Sequence, residues 1–422
     1  MRTLVKKILR LLAKLTLARY KPRVVAITGS VGKTSTKEAV AVVLGSTFFV
    51  RESLGNYNNE LGVPLTIIGE ESGGKNPYAW VWIFIKALVK LIAADYPKIL
   101  VLEMGADRPG DIGYLVEIIG RIEVAVITDI GISHLEFFGA ETDIVKEKLS
   151  LIKKLSADCK AVLNFDNPKV FEGQNQTKAE VLGFGFNEHA QVMISDFQII
   201  QVDGSWGVNF KIHHQGTVVP FFLPNALGKP AVYAATAAAA VGLRFGINLV
   251  DASQALKHYV PPAGRLRLFA GINQTQIIDD TYNAAPDSMF AAIDMLGQFA
   301  KGRKMAVLGG MAELGNKTES GHRAVAVKLA ENKIDIVILV GTNSKIFEDE
   351  LAKLKFSGQV QWFDSSDRAR IPVRDSLREG DTVLIKGSQA TRMEKIVKEI
   401  MLEPEKASRL LVRQNDNWLA KP

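Results

Sequence analysis

From Arg23 onward short β-branched runs alternate with helical patterns, and no other feature of the chain restricts its fold so far. VVAIT (24–28) leads into a helix from Lys33, ILVLE (99–103) and AVLN (161–164) are further runs, and VAVIT (124–128) precedes a helix near 141–155. Strands that are apolar on both faces belong to parallel sheets covered by helices, so the alternation predicts an α/β domain with a mainly parallel sheet. Residues 190–223 switch to period two around Asp203-Gly204 and Gln215-Gly216, the pattern of an antiparallel hairpin region, expected to pack on that sheet. An alanine-rich helix over 230–243 follows. The run Val260-Pro261-Pro262-Ala263-Gly264 breaks helix and strand alike, and beyond it TQIID (275–279), MAVLG (305–309), DIVILV (335–340) and TVLIK (382–386) alternate with helices again. The expected layout is a basic helix over 1–22, a central domain over 23–260, and a Rossmann-like C-terminal α/β domain over 261–422.

A chain of 422 residues that is 47% hydrophobic and 23% charged carries enough apolar material for two such cores and is neither disordered nor fibrous. Cys159 is the single cysteine, so no internal disulfide forms and a reducing cytoplasm is the natural compartment. The formal charge of +7 suggests a nucleic-acid binder until its location is read: residues 1–23 hold eight basic residues and no acidic one, leaving the body balanced. Nucleic acid is therefore not expected as a partner. In the leading segment Leu4, Ile8, Leu11, Leu12 and Leu15 share one helical arc, with Lys6, Lys7, Arg10 and Lys14 opposite. Such a helix fits two settings equally: an anchor at the inner membrane surface through residues 1–20, or a helix packed on its own protein. Residues 78–94 are apolar and aromatic but too short to span a bilayer, and Lys86 and Lys90 interrupt them, so a buried or interfacial helix is expected.

The strongest local signal is Thr28-Gly29-Ser30-Val31-Gly32-Lys33-Thr34-Ser35, directly after a strand and opening a helix. Glycines let backbone N–H groups close around phosphate oxygens, the helix N-terminus favours negative charge, Lys33 adds a cation, and the Thr34 hydroxyl can ligate Mg²⁺. Glu103 ends a strand at the same sheet edge, where a carboxylate suits a metal, and His134 follows the strand VAVIT.

Together with TGSVGKTST, the motifs GNYNNELGVP (55–64), LEMGA (102–106), SHLEFFG (133–139), AGRLR (263–267), DDTYNAAPDSM (279–289), GGMAELG (309–315) and KGSQATRME (386–394) resemble the Mur ligases, in order, from about residue 22 to the C-terminus. The resemblance implies an ATP-dependent amide ligase of peptidoglycan precursor synthesis: a substrate carboxylate takes the γ-phosphoryl group of ATP, and an amine displaces phosphate from the acyl phosphate. Within the family it points to D-alanyl-D-alanine joined to UDP-N-acetylmuramoyl-tripeptide. Two anions meet in the first step, so cations must gather there, and Lys33, Arg265 and Mg²⁺ on Thr34 and Glu103 would supply them.

The resemblance further implies a second Mg²⁺ held by Glu103, His134 and a carbamylated Lys148, with Lys146 the competing lysine. Asn56, Asn58 and Asn59 correspond to the polar loop near the muramyl substrate, although an Asn-rich turn would look the same. Arg265, Asp280 and Asn283 would reach the nucleotide from the second domain, and Glu313, Lys386 and Ser388 would line the amine side. The sequence departs from the family in three places. Twenty-two residues precede the first strand, where aminosugar ligases carry a UDP-binding domain, which leaves that grip to a partner protein, a membrane or another surface. Residues 228–234 (GKPAVYA) lack the usual His and Asn for the base, and Gln389 replaces the usual arginine. The competing readings are a ligase with another acceptor, such as a folyl or polyglutamate chain or the substrate of an amidating complex, and a nucleotide-binding scaffold at the membrane surface.

Overall fold

The computed structural model describes residues 2–55, 57–92, 95–131 and 138–420, apart from the side chain of Asn417. The first sheet has nine strands: β1 (Arg23–Thr28), β2 (Val50–Glu52), β3 (Ile99–Glu103), β4 (Val124–Ile127), β5 (Lys160–Asn164), β6 (Glu180–Gly185), β7 (Val192–Val202), β8 (Ser205–His214) and β9 (Thr217–Pro224). Their order is β2-β3-β1-β4-β5-β6-β7-β8-β9. All pairs from β2 to β7 are parallel, and β7-β8-β9 form an antiparallel meander. The meander does not pack on the sheet, as its sequence suggested, but extends it edgewise, because β7 pairs in parallel with β6 at Phe184↔Val192 and Gly185↔Met193. Both turn dipeptides, Asp203-Gly204 and Gln215-Gly216, have positive φ at each residue, which matches the twist of a two-residue hairpin.

Helix α1 (Arg2–Tyr20), α2 (Lys33–Gly45), α3 (Gly62–Ile68), α4 (Pro77–Lys90) and α5 (Asp111–Ile119) belong to this half of the molecule. One core lies between the sheet and the pair formed by α2 and the helix Gly228–Arg244; the other lies under α5 and the helix Glu141–Lys153. Ala234, Ala235 and Ala237–Ala240 are all fully buried, and small side chains along that helix let it lie close against α2.

Helix α1 is packed on its own protein, but by a shifted face. Val5, Leu9, Leu12 and Ala13 are buried, whereas Leu4, Leu11 and Leu15 from the predicted arc are exposed. Helix α4 is only half covered: Trp80, Ile83 and Ala87 face α1 and α3 with Phe84 partly buried beside them, and Tyr78, Val81, Trp82, Ile85, Leu88 and Val89 face solvent. Among the described residues no helix is long and apolar enough to cross a membrane.

The second sheet has six strands, β10 (Arg267–Ala270), β11 (Gln276–Asp280), β12 (Lys304–Gly309), β13 (Ile336–Val340), β14 (Gln359–Phe363) and β15 (Thr382–Lys386), in the order β10-β11-β15-β12-β13-β14. Only the edge pair β10-β11 is antiparallel. Helices cover both faces, over two further cores. The proline-rich segment 260–264 lies between the two sheets, and the C-terminal ends of β1, β3 and β11 meet in a shared cleft.

Candidate active site

The loop after β1 keeps its polar groups on the backbone. Gly29 has φ 153°, and a Cβ there would stand 2.1 Å from the Thr128 hydroxyl, so the position takes no side chain. Gly32 is the N-cap residue of α2, at φ 84°, and no side chain caps that helix. The first amides of α2 thus remain open toward the cleft that residues 30–34 line, an anion-binding arrangement. Thr128 Oγ1 donates to the Val31 carbonyl at 2.6 Å, and Ser30 Oγ exchanges two hydrogen bonds with the Gly131 backbone. These contacts fix the loop before any ligand arrives. The Lys33 ammonium donates to the carbonyls of Gly29 (2.8 Å) and Ser30 (3.3 Å). Burial lowers its pKa, partly opposed by the Glu103 carboxylate.

Glu103 emerges at the end of β3 and is 2% exposed. One oxygen accepts from Thr34 Oγ1 at 2.9 Å and the other from Asn58 Nδ2 at 3.0 Å, while Ser53 Oγ accepts from its amide. Asn58 can approach because Gly105, two residues past β3, has no side chain: its amide donates to the Asn58 carbonyl at 2.7 Å, and a Cβ would meet the Asn58 amide carbon at 2.9 Å. Asn59 instead serves the turn, its Oδ1 accepting from the amides of Leu61 and Gly62 at the start of α3. Asn56 and His134 lie outside the described residues.

Lys148 is 2% exposed on the helix Glu141–Lys153 and lines a cavity of about 90 Å³ with Lys33, Asn58 and Asp107, whereas Lys146 faces solvent. Burial brings the Lys148 pKa down to about 7, the Lys33 charge adding to the effect and Glu147, Asp107 and Asp111 opposing it. Glu147 itself accepts from the amides of Gly110 and Ile112, tying this helix to the start of α5.

From the second domain, the Arg265 guanidinium lies 4.0 Å from the Tyr282 ring centroid. Asp280 and Lys386 are directly paired across β11 and β15 and form an ion pair at 2.6 Å; Lys386 also donates to the Asn283 carbonyl at 2.9 Å. Burial lowers the Lys386 pKa, and Asp280 opposes that shift.

These groups surround two cavities. The larger, about 920 Å³, is lined by Ser30–Thr34, Asn58 and Glu103 on one side and by Arg265, Tyr282, Asn283, Glu313 and Gln389 on the other. The smaller, about 220 Å³, lies behind the loop and receives Gly32, Thr34, Ser35, Arg265, Asp280 and Lys386. Sequence reading placed Lys386 and Ser388 with the amine substrate. Lys386 lies instead in the smaller cavity, and Ser388 is buried in its loop, where its carbonyl accepts from Thr391.

Sequence reading also missed the walls of the smaller cavity: Phe184, Tyr233, Tyr259, Leu227, Pro230 and Pro261 give it an apolar, aromatic lining. They come from three separate segments; Pro230 and Tyr233 stood in the stretch 228–234 and Pro261 in the proline-rich run, while Phe184, Leu227 and Tyr259 stood in none. Asp107 and Trp418 likewise line the larger cavity without any motif to mark them.

A phosphate-binding loop, a carboxylate–hydroxyl pair beside it and a second α/β domain completing the cleft define a nucleotide-dependent two-domain enzyme. The Mur ligase middle domain matches residues 27–76 and 83–242, and the Mur ligase, glutamate ligase domain matches residues 264–389. UDP-N-acetylmuramoyl-tripeptide--D-alanyl-D-alanine ligase from Bacillus subtilis is 32% identical over 398 residues, 94% of this chain and 79% of its own. The MurF ligase of Thermotoga maritima, solved in complex with ADP, superposes with a TM-score of 0.78 at 27% identity, covering 95% of this chain and 84% of that one. MurF from Acinetobacter baumannii gives 0.77 at 28% identity, with 92% and 79% covered. The chain belongs to the Mur ligase family and is an ATP-dependent ligase of that type.

Proposed function

We propose that the protein joins D-alanyl-D-alanine to the terminal carboxylate of UDP-N-acetylmuramoyl-tripeptide at the expense of ATP. The observation that carries this reading is the 920 Å³ cleft, where the phosphate loop and Glu103 of one domain face Arg265, Asn283 and Glu313 of the other. The aromatic slot behind the loop has the size and walls for the nucleotide base, and stacking there replaces the missing His and Asn. The α2 amides and Lys33 then hold the phosphates, and Arg265 closes on them from the second domain.

Thr34 Oγ1 and the Glu103 carboxylate lie 2.9 Å apart at the loop, an all-oxygen donor set of the kind Mg²⁺ takes. When bound, the metal supplies positive charge where the two anions meet. A lysine whose pKa is about 7 is substantially neutral at physiological pH, and the neutral amine is the form that adds CO₂, so Lys148 is chemically suited to carry a carbamate in the small cavity that it shares with Lys33 and Asn58.

The reaction has two displacements. A carboxylate oxygen attacks the γ-phosphorus and ADP leaves; the dipeptide amine then attacks the acyl carbon, loses a proton, and inorganic phosphate leaves as the amide forms. Lys33 and Arg265 stabilise the charge that accumulates in the first displacement, and the polar side chains on the Glu313 side orient the amine in the second.

The test is phosphate release by the purified chain with ATP, Mg²⁺, UDP-N-acetylmuramoyl-tripeptide and D-alanyl-D-alanine, each omitted in turn. Release that requires all four supports the reading. Release with a folyl or glutamyl acceptor instead transfers the same chemistry to another substrate, and nucleotide binding without release under any pairing favours the scaffold.

A further inference from the structure

Helices α1 and α4 lie side by side, joined through Val5, Leu9 and Leu12 on one and Trp80, Ile83 and Ala87 on the other. Their outer faces are left apolar. Along α4, Val81, Trp82, Ile85, Leu88 and Val89 are between 45% and 63% exposed, Tyr78 opens the helix at 83%, and Ile92 follows it at 85%. Leu4, Leu11 and Leu15 of α1 are exposed at 62%, 59% and 44%. Nearly half of the large apolar side chains exposed among the described residues fall on these two helices and the turn after them. Isolated exposed leucines need no explanation, but several exposed apolar side chains along each of two adjoining helices mark a contact surface.

The charges around the stripe say what kind of contact. Lys86 and Lys90, which break the apolar run in sequence, stay 41% and 44% exposed, but both pair with Glu70, at 2.6 and 2.7 Å, which is itself 6% exposed. On α1, Lys6 pairs with Glu60 and Arg10 with Glu117, whereas Lys7 and Lys14 are exposed and have no carboxylate partner among the described residues. No acidic residue occurs in 1–23 or in 72–94. Apolar side chains, a tryptophan and a tyrosine among them, beside unpaired lysines with no counter-charge of their own complement an anionic lipid interface. The family models begin at residue 27 and pass over residues 77–82, so α1 and the start of α4 lie outside the residues that they match.

We propose that the outer faces of α1 and α4 form a peripheral docking surface for an anionic membrane leaflet. The helices lie in the interface plane, with Trp82 and Val89 among the acyl chains and Lys7 and Lys14 at the headgroups. None of these side chains lines the catalytic cleft, so docking and catalysis are separable.

Flotation of the full chain with vesicles of phosphatidylcholine, with and without phosphatidylglycerol, tests the proposal. The wild type should float with the anionic vesicles and lose most of that binding at high salt. The double substitution Trp82→Asp/Val89→Asp should lower the bound fraction about tenfold or more, and Lys7→Glu/Lys14→Glu should abolish the preference for anionic lipid. Both variants should keep wild-type phosphate release, which shows that they fold. The proposal is overturned if the wild type binds neither vesicle, if Trp82→Asp/Val89→Asp binds like the wild type, or if light scattering shows a dimer that this variant dissociates while vesicles are ignored, since the stripe would then join two copies of the chain.

Discussion

Lys386→Met separates a structural lysine from a substrate-holding one. Lys386 and Asp280 face each other at the ends of β15 and β11, 2.6 Å apart, with side chains 1% and 9% exposed. Methionine nearly matches lysine in length, so little cavity opens and the loss is chiefly electrostatic. Removing one partner of a buried pair costs about 3–5 kcal/mol. The abandoned carboxylate stays buried without its cation, so the expected destabilisation is about 3–4 kcal/mol. In a domain of this size that lowers Tm by roughly 6–16 °C. Urea denaturation and thermal melting measure it directly. Adding Asp280→Asn to Lys386→Met should recover much of the loss, because the amide leaves no buried charge. A loss below about 1 kcal/mol, or a raised KM for the amine substrate at unchanged stability, would refute the reasoning and return Lys386 to the substrate.

Further outcomes follow from the loop and its neighbours. Glu103→Gln keeps the shape of the site but removes the charge facing Thr34, and should cut phosphate release by about a hundredfold or more with the fold intact by circular dichroism. Lys148→Ala should abolish ligation, with partial return on adding acetate; full activity without it would dismiss a carbamate. Gly29→Ala forces a methyl group to 2.1 Å from the Thr128 hydroxyl and should abolish nucleotide binding, measured by calorimetry. Glu38 is pushed up to about 7, chiefly by burial, with Glu52 and Glu103 adding and Lys37 opposing. The folded chain therefore holds that proton through a window in which the unfolded chain has released it, and stability falls as pH rises from about 4.5 to 7. In Glu38→Gln that decline should flatten, read as urea midpoints at pH 5 and pH 8; parallel profiles for the two proteins would argue against it.

How much could be read from sequence depended on how far apart the cooperating residues lie. The phosphate loop, Glu103 at its strand end and the parallel sheets rest on local patterns, namely a glycine turn between strand and helix and apolar runs of strand length. Strands β14 (QVQWF) and β10 (RLFA) were missed because the first mixes polar with apolar residues and the second is only four residues long. The meander's period of two was plain, but whether it lay on the sheet or beside it is decided by two residue pairs with β6. The face of α1 was misjudged because leucine follows leucine there, so the arc is wide, and only contact with α3 and α4 selects Val5, Leu9 and Leu12. Of the slot behind the loop only the stretch 228–234, with Pro230 and Tyr233, was marked in sequence, since Phe184, Tyr259 and Pro261 each pass for ordinary core or linker residues.

The two halves of the molecule touch at more than the linker. Trp206, near the first turn of the meander, stacks edge-on against Phe299 of the second domain at 5.2 Å, and Lys301 lies 4.9 Å from the same ring. Leu227, just beyond β9, joins that contact, and both Leu227 and the linker residues Tyr259 and Pro261 border the smaller cavity. These contacts and the linker all lie beside the aromatic slot, whereas Glu313 and Gln389 line the larger cavity and not the smaller one. A rotation of the second domain about this side would therefore move Glu313 and Gln389 farther than the slot walls. On the proposed reading, the acceptor and amine would exchange at the open end of the cleft with the nucleotide base held near the pivot.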